Sequence, residues 1–335
     1  MDRGRGRAGG AGGRRLVVPG VGQVHRDIAA AAARIAGRVE RTPLRRSDWL
    51  SAATGAEVFL KLETLQPTFS YKIRGALNAV RRLAESGERT PLVTASAGNH
   101  GRALAHAARE FGYAVTVYAP EGAPATKLAA IRRLGAELRV CADYDEAEAQ
   151  AKRHGASGEA LFISPYSHPD VIAGAGTVGL EILEQHPRLD TIVVPIGGGG
   201  LISGIALACA ARLEVLGVEV EASSPFTHSL AAGRIVPIDV GPTLADGLAG
   251  NLDPDTVTFD IVRQHVKRIV RVPEAELEDA VRGLAREERL IAEGAGATGV
   301  AAVLAGKAVS PGQQVAVVLS GANIDMEKLA AILAR

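Results

Sequence analysis

The sequence predicts an α/β fold of parallel sheets wrapped by helices, and three observations carry that expectation. Short apolar runs alternate with helix-period segments from about residue 25 onward. Most of the runs are followed within a few residues by such a segment, which is strand, turn and helix repeated. Hydrophobic residues make up 47% of the 335 yet aromatics only 4%. Ala, Val, Leu, Ile and Gly therefore build the interior, as suits helices packed on a buried parallel sheet.

Strand candidates lie at 58–62, 92–95, 114–118, 137–140, 161–164, 192–196, 215–219 and 315–319, with helical segments such as 103–111 and 201–213 between them. A chain of this length buries a sizeable core in one or two domains. The first 15 residues hold five arginines and six glycines with no apolar periodicity. Residues 1–22 are read as a flexible basic tail, because glycine-rich chain is costly to order, and it lacks the apolar stretch of a secretion signal. A formal net charge of +1 gives no global field to draw nucleic acid or an anionic membrane. No apolar run approaches the roughly 18 residues of a membrane span. Cys141 and Cys209 make neither a disulfide framework nor a zinc site, and they suit a reducing cytoplasm.

Three strand-to-helix junctions are rich in glycine, serine and asparagine. They are Ser96-Ala97-Gly98-Asn99-His100-Gly101, Gly197-Gly198-Gly199-Gly200-Leu201 and Ser320-Gly321-Ala322-Asn323. Open parallel sheets bind ligands beyond the carboxyl ends of their strands, so these junctions predict one site assembled from distant segments. Consecutive glycines let backbone N–H groups close on an anion, and the helix that follows adds its positive end. That points to a phosphate without naming the compound. Gly198, Gly200 and Gly204 also imitate a dinucleotide turn loosely, with Glu219 or Glu221 as its acidic partner.

Residues 68–76, Thr-Phe-Ser-Tyr-Lys-Ile-Arg-Gly-Ala, open a helix whose Ile73, Ala76, Leu77, Val80 and Ala84 share one face. Ser70 is the expected N-cap, which puts Lys72 in the first turn, where the helix dipole disfavours a cation. A desolvated amine there deprotonates more easily, as Schiff-base chemistry requires. Position alone, however, favours an ordinary surface lysine beside Arg74.

The motif around Lys72 decides the matter. Residues 70–76 resemble the Ser-Phe-Lys-Ile-Arg-Gly-Ala motif of fold-type-II pyridoxal-phosphate enzymes, and more narrowly that of threonine/serine dehydratases and serine racemase. Residues 96–101 are similar to the family's asparagine loop, 197–201 to its phosphate loop and 320–323 to its cofactor-ring motif. Thr42-Pro43-Leu44 and residues 243–247 match further, and all occur in the family's order across about residues 25–330. The resemblance implies a tryptophan-synthase-β-like architecture of two open parallel-sheet domains. The large cofactor-binding domain would comprise 23–89 and 171–335, and the small mobile domain 90–170. It further implies a cytoplasmic homodimer that uses pyridoxal 5'-phosphate. The implied reaction is dehydration of a β-hydroxy-amino acid, L-threonine and/or L-serine, through an aminoacrylate to the 2-oxo acid and ammonia.

By the same resemblance Lys72 holds the cofactor as a Schiff base and then takes the substrate α-proton, with Tyr71 packed beside it. Gly197, Gly198, Gly199, Gly200 and Leu201 hold the phosphate, Asn99 the ring hydroxyl, and Ser320 faces the ring nitrogen. Ser96, Ala97, Gly98, Asn99 and His100 receive the substrate carboxylate, while Glu293 and Gly247 lie near the cofactor. Tyr71 stands where phenylalanine is commoner. Ala97 stands where serine racemase has a second serine, which disfavours racemisation. Glu219 matches one carboxylate of metal-dependent relatives, but Ser223 and Ser224 stand near the second, so no metal is expected. Too few residues follow residue 330 for the regulatory domain of biosynthetic relatives, so none is expected. Alternatives within the family are a serine or aspartate racemase, a β-replacement enzyme and a hydroxyaspartate-type dehydratase. Outside it stand a nucleotide-binding oxidoreductase and a noncatalytic protein on an enzyme fold.

Overall fold

The computed structural model describes the backbone of residues 21–209 and 212–335, with side chains from residue 27 onward in those ranges. Residues 1–20, most of the expected tail, lie outside the described residues. Residues 21 and 22, assigned to that tail, instead belong to helix α1, Val21–Ile35. The reason is amphipathic: Ile28, Ala31 and Ile35, spaced by three and four, are buried.

The chain continues through β1 (Leu44–Arg46), α2 (Asp48–Thr54), β2 (Glu57–Leu62) and α3 (Lys72–Glu85). Then come β3 (Leu92–Ala95), α4 (Asn99–Phe111), β4 (Val115–Pro120), α5 (Ala125–Arg133), β5 (Glu137–Cys141), α6 (Tyr144–Ala156) and β6 (Leu161–Phe162). Next are α7 (Pro169–Gln185), β7 (Thr191–Pro195), α8 (Gly200–Cys209), β8 (Glu214–Val220), α9 (Pro225–Ala232), α10 (Thr258–His265) and β9 (Arg268–Val272). The last elements are α11 (Glu274–Gly283), α12 (Gly294–Leu304), β10 (Gln314–Leu319) and α13 (Met326–Leu333).

Two open sheets result. The larger has the order β1-β2-β10-β7-β8-β9, parallel throughout except where β1 pairs antiparallel with β2. The smaller, β5-β4-β3-β6, is wholly parallel. Apolar clusters cover both faces of the large sheet, one built with α11 and α12 and the other with α7 and α8. A third joins Ile73, Ala76, Leu77 and Val80 of α3 to α4 and β3, so the helix that begins at Lys72 packs against α4, which lies on the smaller sheet, and against α7.

All eight expected strands form, with no end shifted by more than two residues. The expected helix 201–213 stops at Cys209, and residues 212–213 turn into β8. Strands β1 and β9 are missed by the sequence reading. Both lie at the edges of the large sheet and carry arginines on their exposed faces, so neither reads as a buried apolar run.

Beneath α3 lies a buried ionic network. Arg74 grips Glu63 with two hydrogen bonds of 2.7 and 2.8 Å and reaches Glu181 at 2.7 Å. Lys61 donates to Glu181 at 2.6 Å and to the carbonyl of Thr42 at 2.7 Å, while the Thr42 hydroxyl donates to Glu63 at 2.6 Å. Burial alone would lift the Glu63 carboxyl, but the Arg74 guanidinium prevails and holds it below the usual carboxylate range. This network explains the Thr42-Pro43-Leu44 match as architecture. It also fixes the first turn of α3, and with it Lys72.

Candidate active site

The three glycine- and serine-rich junctions converge. Ser96, Ala97, Gly98, Asn99, His100, Gly197, Gly198, Gly199, Gly200, Leu201 and Ser320 line one cavity of about 510 Å³ together with Tyr71, Lys72, Gly247 and Glu293. Every sequence-predicted site residue is therefore in one place.

Lys72 is the first residue of α3, and Ser70 does not cap it. Tyr71 occupies the N-cap position without a side-chain bond, and the Ser70 hydroxyl is buried without a partner. The expected cap fails because Ser70 pairs instead with Gly321, and the Tyr71 N–H donates to the carbonyl of Ser320 at 3.0 Å. The lysine segment is thus stitched directly to the end of β10. The Lys72 amine donates to the carbonyl of Pro165 at 2.7 Å. Burial pulls its pKa down to about 8, against the opposing charge of Glu293. Arg74, taken with it as a surface pair, is fully buried.

The glycine turn is a fitted cradle rather than a slack loop. A Cβ at Gly198 would sit 2.3 Å from the ring of Tyr166, and one at Gly200 2.9 Å from its Cα. Gly199 has φ +86° and no room beside Phe226 and Thr258. The Thr258 hydroxyl donates to the carbonyl of Gly198 at 2.8 Å, pinning the turn that leads into α8. Tyr166 follows Pro165, so adjacent residues hold the lysine amine and wall the glycine turn.

Across the cavity, α4 begins at Asn99 with no side chain capping it, which leaves its first N–H groups to an anionic ligand. The Asn99 amide nitrogen donates to Glu293 at 2.5 Å. Glu293 is buried, which pushes its carboxyl up to about 7, aided by Asp246 and opposed by Lys127 and Asn99. His100 is also buried, and its Nε2 donates to the carbonyl of Ile163 at 3.2 Å. Burial and the nearby Lys72 charge push its pKa down to about 3, so it is neutral at physiological pH. Glu219 accepts from the N–H groups of Phe226 and Thr227 at 2.8 and 2.9 Å, a structural duty at the start of α9. Among the described residues no His, Cys, Asp and Glu side chains cluster as a metal site.

Sequence reasoning missed Pro165, Tyr166, Lys127 and Asp246 as cavity walls. Pro165 acts through its carbonyl, which no residue type advertises. Asp246 sits in the matched segment 243–247, and that match was its only signal.

A family model described as pyridoxal-phosphate dependent enzyme matches residues 35–321. The chain belongs to that family. It is 42% identical to L-threonine ammonia-lyase of Thermotoga maritima over 92% of this chain and 77% of that one. It is 39% identical to L-threo-3-hydroxyaspartate ammonia-lyase of a Pseudomonas species, over 92% and 98%. The structure of maize serine racemase superposes with a TM-score of 0.85 at 34% identity, covering 92% of this chain and 96% of that one. The chain is a pyridoxal-phosphate enzyme, and its fold is that of the family's type-II members.

The residues present fit the cofactor. A cradle that a single Cβ would fill suits a phosphate held by backbone N–H groups. A buried amine with a lowered pKa suits an aldehyde partner. Gly198→Ala is expected to displace Tyr166 at a cost of about 1–3 kcal/mol, roughly five- to 150-fold in cofactor affinity by equilibrium dialysis.

The lowered amine pKa also marks stability. Below about pH 8 the folded apo-protein carries a protonated amine it holds poorly, and this penalty fades as pH rises from about 8 toward the ordinary 10.5. Removing the amine by Lys72→Met should raise the apo-protein Tm most at neutral pH and least above about pH 10. Glu293 acts in the opposite sense: its raised pKa makes the carboxylate a penalty that grows from the ordinary carboxyl range up to about pH 7. Thermal melts across this range, with and without Lys72→Met, check both signs.

Proposed function

We propose that this chain is a pyridoxal-phosphate-dependent ammonia-lyase that dehydrates and deaminates L-threonine and/or L-serine to the 2-oxo acid and ammonia. The observation that carries the reading is the meeting, in one cavity, of the Lys72 amine and the Gly197–Gly200 cradle, both fixed by the Pro165-Tyr166 step. The backbone N–H groups of Gly197 to Gly200 hold the cofactor phosphate, with Leu201 leading into the helix. Asn99 would take the ring hydroxyl and Ser320 the ring nitrogen. A hydroxyl there, unlike a carboxylate, would not enforce a proton on that nitrogen. The cofactor, when bound, supplies an electron sink for the pair left at the substrate α-carbon.

Lys72, with an amine pKa of about 8, has a substantial neutral fraction near physiological pH and takes the α-proton. The uncapped start of α4, from Ser96 to His100, receives the substrate carboxylate. The small unit, 90–170, closes over the large one, 23–89 and 171–335. The pairing of Lys127 with Asp246 at 2.5 Å already spans the two. The related enzymes act on threonine, serine, aspartate and hydroxyaspartate, and two features favour the first pair. Ala97 carries no proton, which speaks against racemisation. Lys127, the other lysine of the cavity, is engaged by Asp246, so a second substrate carboxylate meets a cation already neutralised.

The test is a panel of L-threonine, L-serine, D-serine and L-threo-3-hydroxyaspartate assayed for 2-oxo acid and ammonia. L-threonine or L-serine should give the highest kcat/KM. Fastest turnover of hydroxyaspartate, or racemised serine outpacing 2-oxo acid, would overturn the assignment.

A further inference from the structure

Behind Asn99 stands a polar chain to which the mechanism assigns no role. Arg102, one turn along α4, donates to the Asn323 amide oxygen at 2.6 Å, and its guanidinium lies 5.0 Å over the ring of Phe69. The Asn323 amide nitrogen donates to the carbonyl of Thr68 at 2.9 Å and to the Asn99 amide oxygen at 2.6 Å. A guanidinium only donates and a backbone carbonyl only accepts, so the two ends of the Asn323 amide are distinguished by chemistry and not by shape. Both of its N–H groups are then spent, one on Thr68 and one on Asn99. It follows that Asn99 must present its oxygen to Asn323 and its nitrogen to the opposite side. One N–H of that nitrogen goes to Glu293 at 2.5 Å, which leaves the second for a ligand oxygen.

We infer that Asn323, anchored by Arg102, is a positioning residue that locks the Asn99 amide with its nitrogen toward Glu293 and the cavity. The lock has a use because Glu293 alone does not enforce this orientation. An ionised Glu293 only accepts and demands the amide nitrogen. A protonated Glu293 donates and would accept the flipped amide, whose oxygen would then face the ligand oxygen in place of a donor. With its carboxyl raised to about 7, Glu293 passes between these states near physiological pH. Lys72 of α3 and Tyr71 just ahead of it, Asp246 ahead of Gly247, and Lys127 of α5 all face it electrostatically. Asn323 keeps Asn99 a donor through the change.

The inference rests on the reading that Asn99 meets the cofactor ring hydroxyl. The experiment measures, by fluorescence titration of apo-protein, the affinity for pyridoxal phosphate against its analogue lacking the ring hydroxyl, from about pH 6 to 8. Wild type should prefer the hydroxyl-bearing compound by roughly tenfold or more, at all pH values. Asn323→Asp replaces the donor facing Asn99 by an acceptor and should collapse the preference to near parity. Asn323→Ala should retain it at pH 8 and lose it as Glu293 protonates. If Asn323→Asp does not fold, Arg102→Met, which frees Asn323 to rotate, should show the same pH-dependent loss in weaker form. A preference that survives in these variants across the pH range overturns the inference and leaves the Asn99 reading standing. No preference in wild type overturns the Asn99 reading and this inference with it.

Discussion

Replacing Lys72 by alanine is expected to lower kcat for 2-oxo acid release by roughly 10⁴-fold or more, because one amine both carries the cofactor and takes the α-proton. The loss should come without unfolding. Lys72 makes one hydrogen bond, to the Pro165 carbonyl, and its buried amine is held well below the ordinary lysine range. The fold therefore does not depend on it, and the variant apo-protein should melt no lower than wild type at neutral pH. Because the glycine cradle is untouched, the variant should still bind pyridoxal phosphate, reversibly and more weakly. Stopped assays of 2-oxo acid alongside equilibrium dialysis separate the two effects. Activity within tenfold of wild type would remove Lys72 from the chemistry.

The second large effect lies two residues on and has the opposite character. Arg74→Met should destabilise the protein by about 3–5 kcal/mol, since it leaves Glu63 buried and ionised with its principal counter-charge gone. Glu63 and Glu181 would then face Lys61 alone. Adding Glu63→Gln should recover part of the loss by removing the stranded charge, as read by urea unfolding of both variants. The linkage is that of a carboxyl whose folded pKa is depressed. Its stabilisation is present above the ordinary carboxylate pKa and is lost as pH falls through the folded value, so wild type should lose stability in acid through Glu63. A variant as stable as wild type would make the network ornamental.

Lys72 and Arg74 also show how far the sequence could be read. Periodicity placed both on one helix and located its buried face at Ile73, Ala76, Leu77, Val80 and Ala84, of which the structure buries the first four and half-buries Ala84. It could not say that Arg74 is buried and Lys72 half-buried, because their partners Glu63, Glu181 and Pro165 lie beyond the reach of helical spacing. Spacing rules see neighbours three or four residues away, not contacts across 93 or 107 positions. The three junctions were legible because Gly, Ser and Asn at strand ends are conspicuous and the topology of parallel sheets gathers strand ends together. The Ser70 cap was a sound local expectation that lost to a tertiary bond, the pairing of the lysine segment with Gly321. Asn323 was visible as part of a motif, yet its consequence for Asn99 needed the positions of Arg102 and Thr68.

The central claim is that the Lys72 amine is the group that bonds to the cofactor aldehyde. Reduction of the cofactor-loaded protein with borohydride, followed by peptide mass mapping, addresses it without reference to substrate. The account predicts the pyridoxyl mass on the peptide that carries Lys72 and on no other. Label on Lys127, Lys61 or any different lysine, or a loaded protein that takes no label, would contradict it.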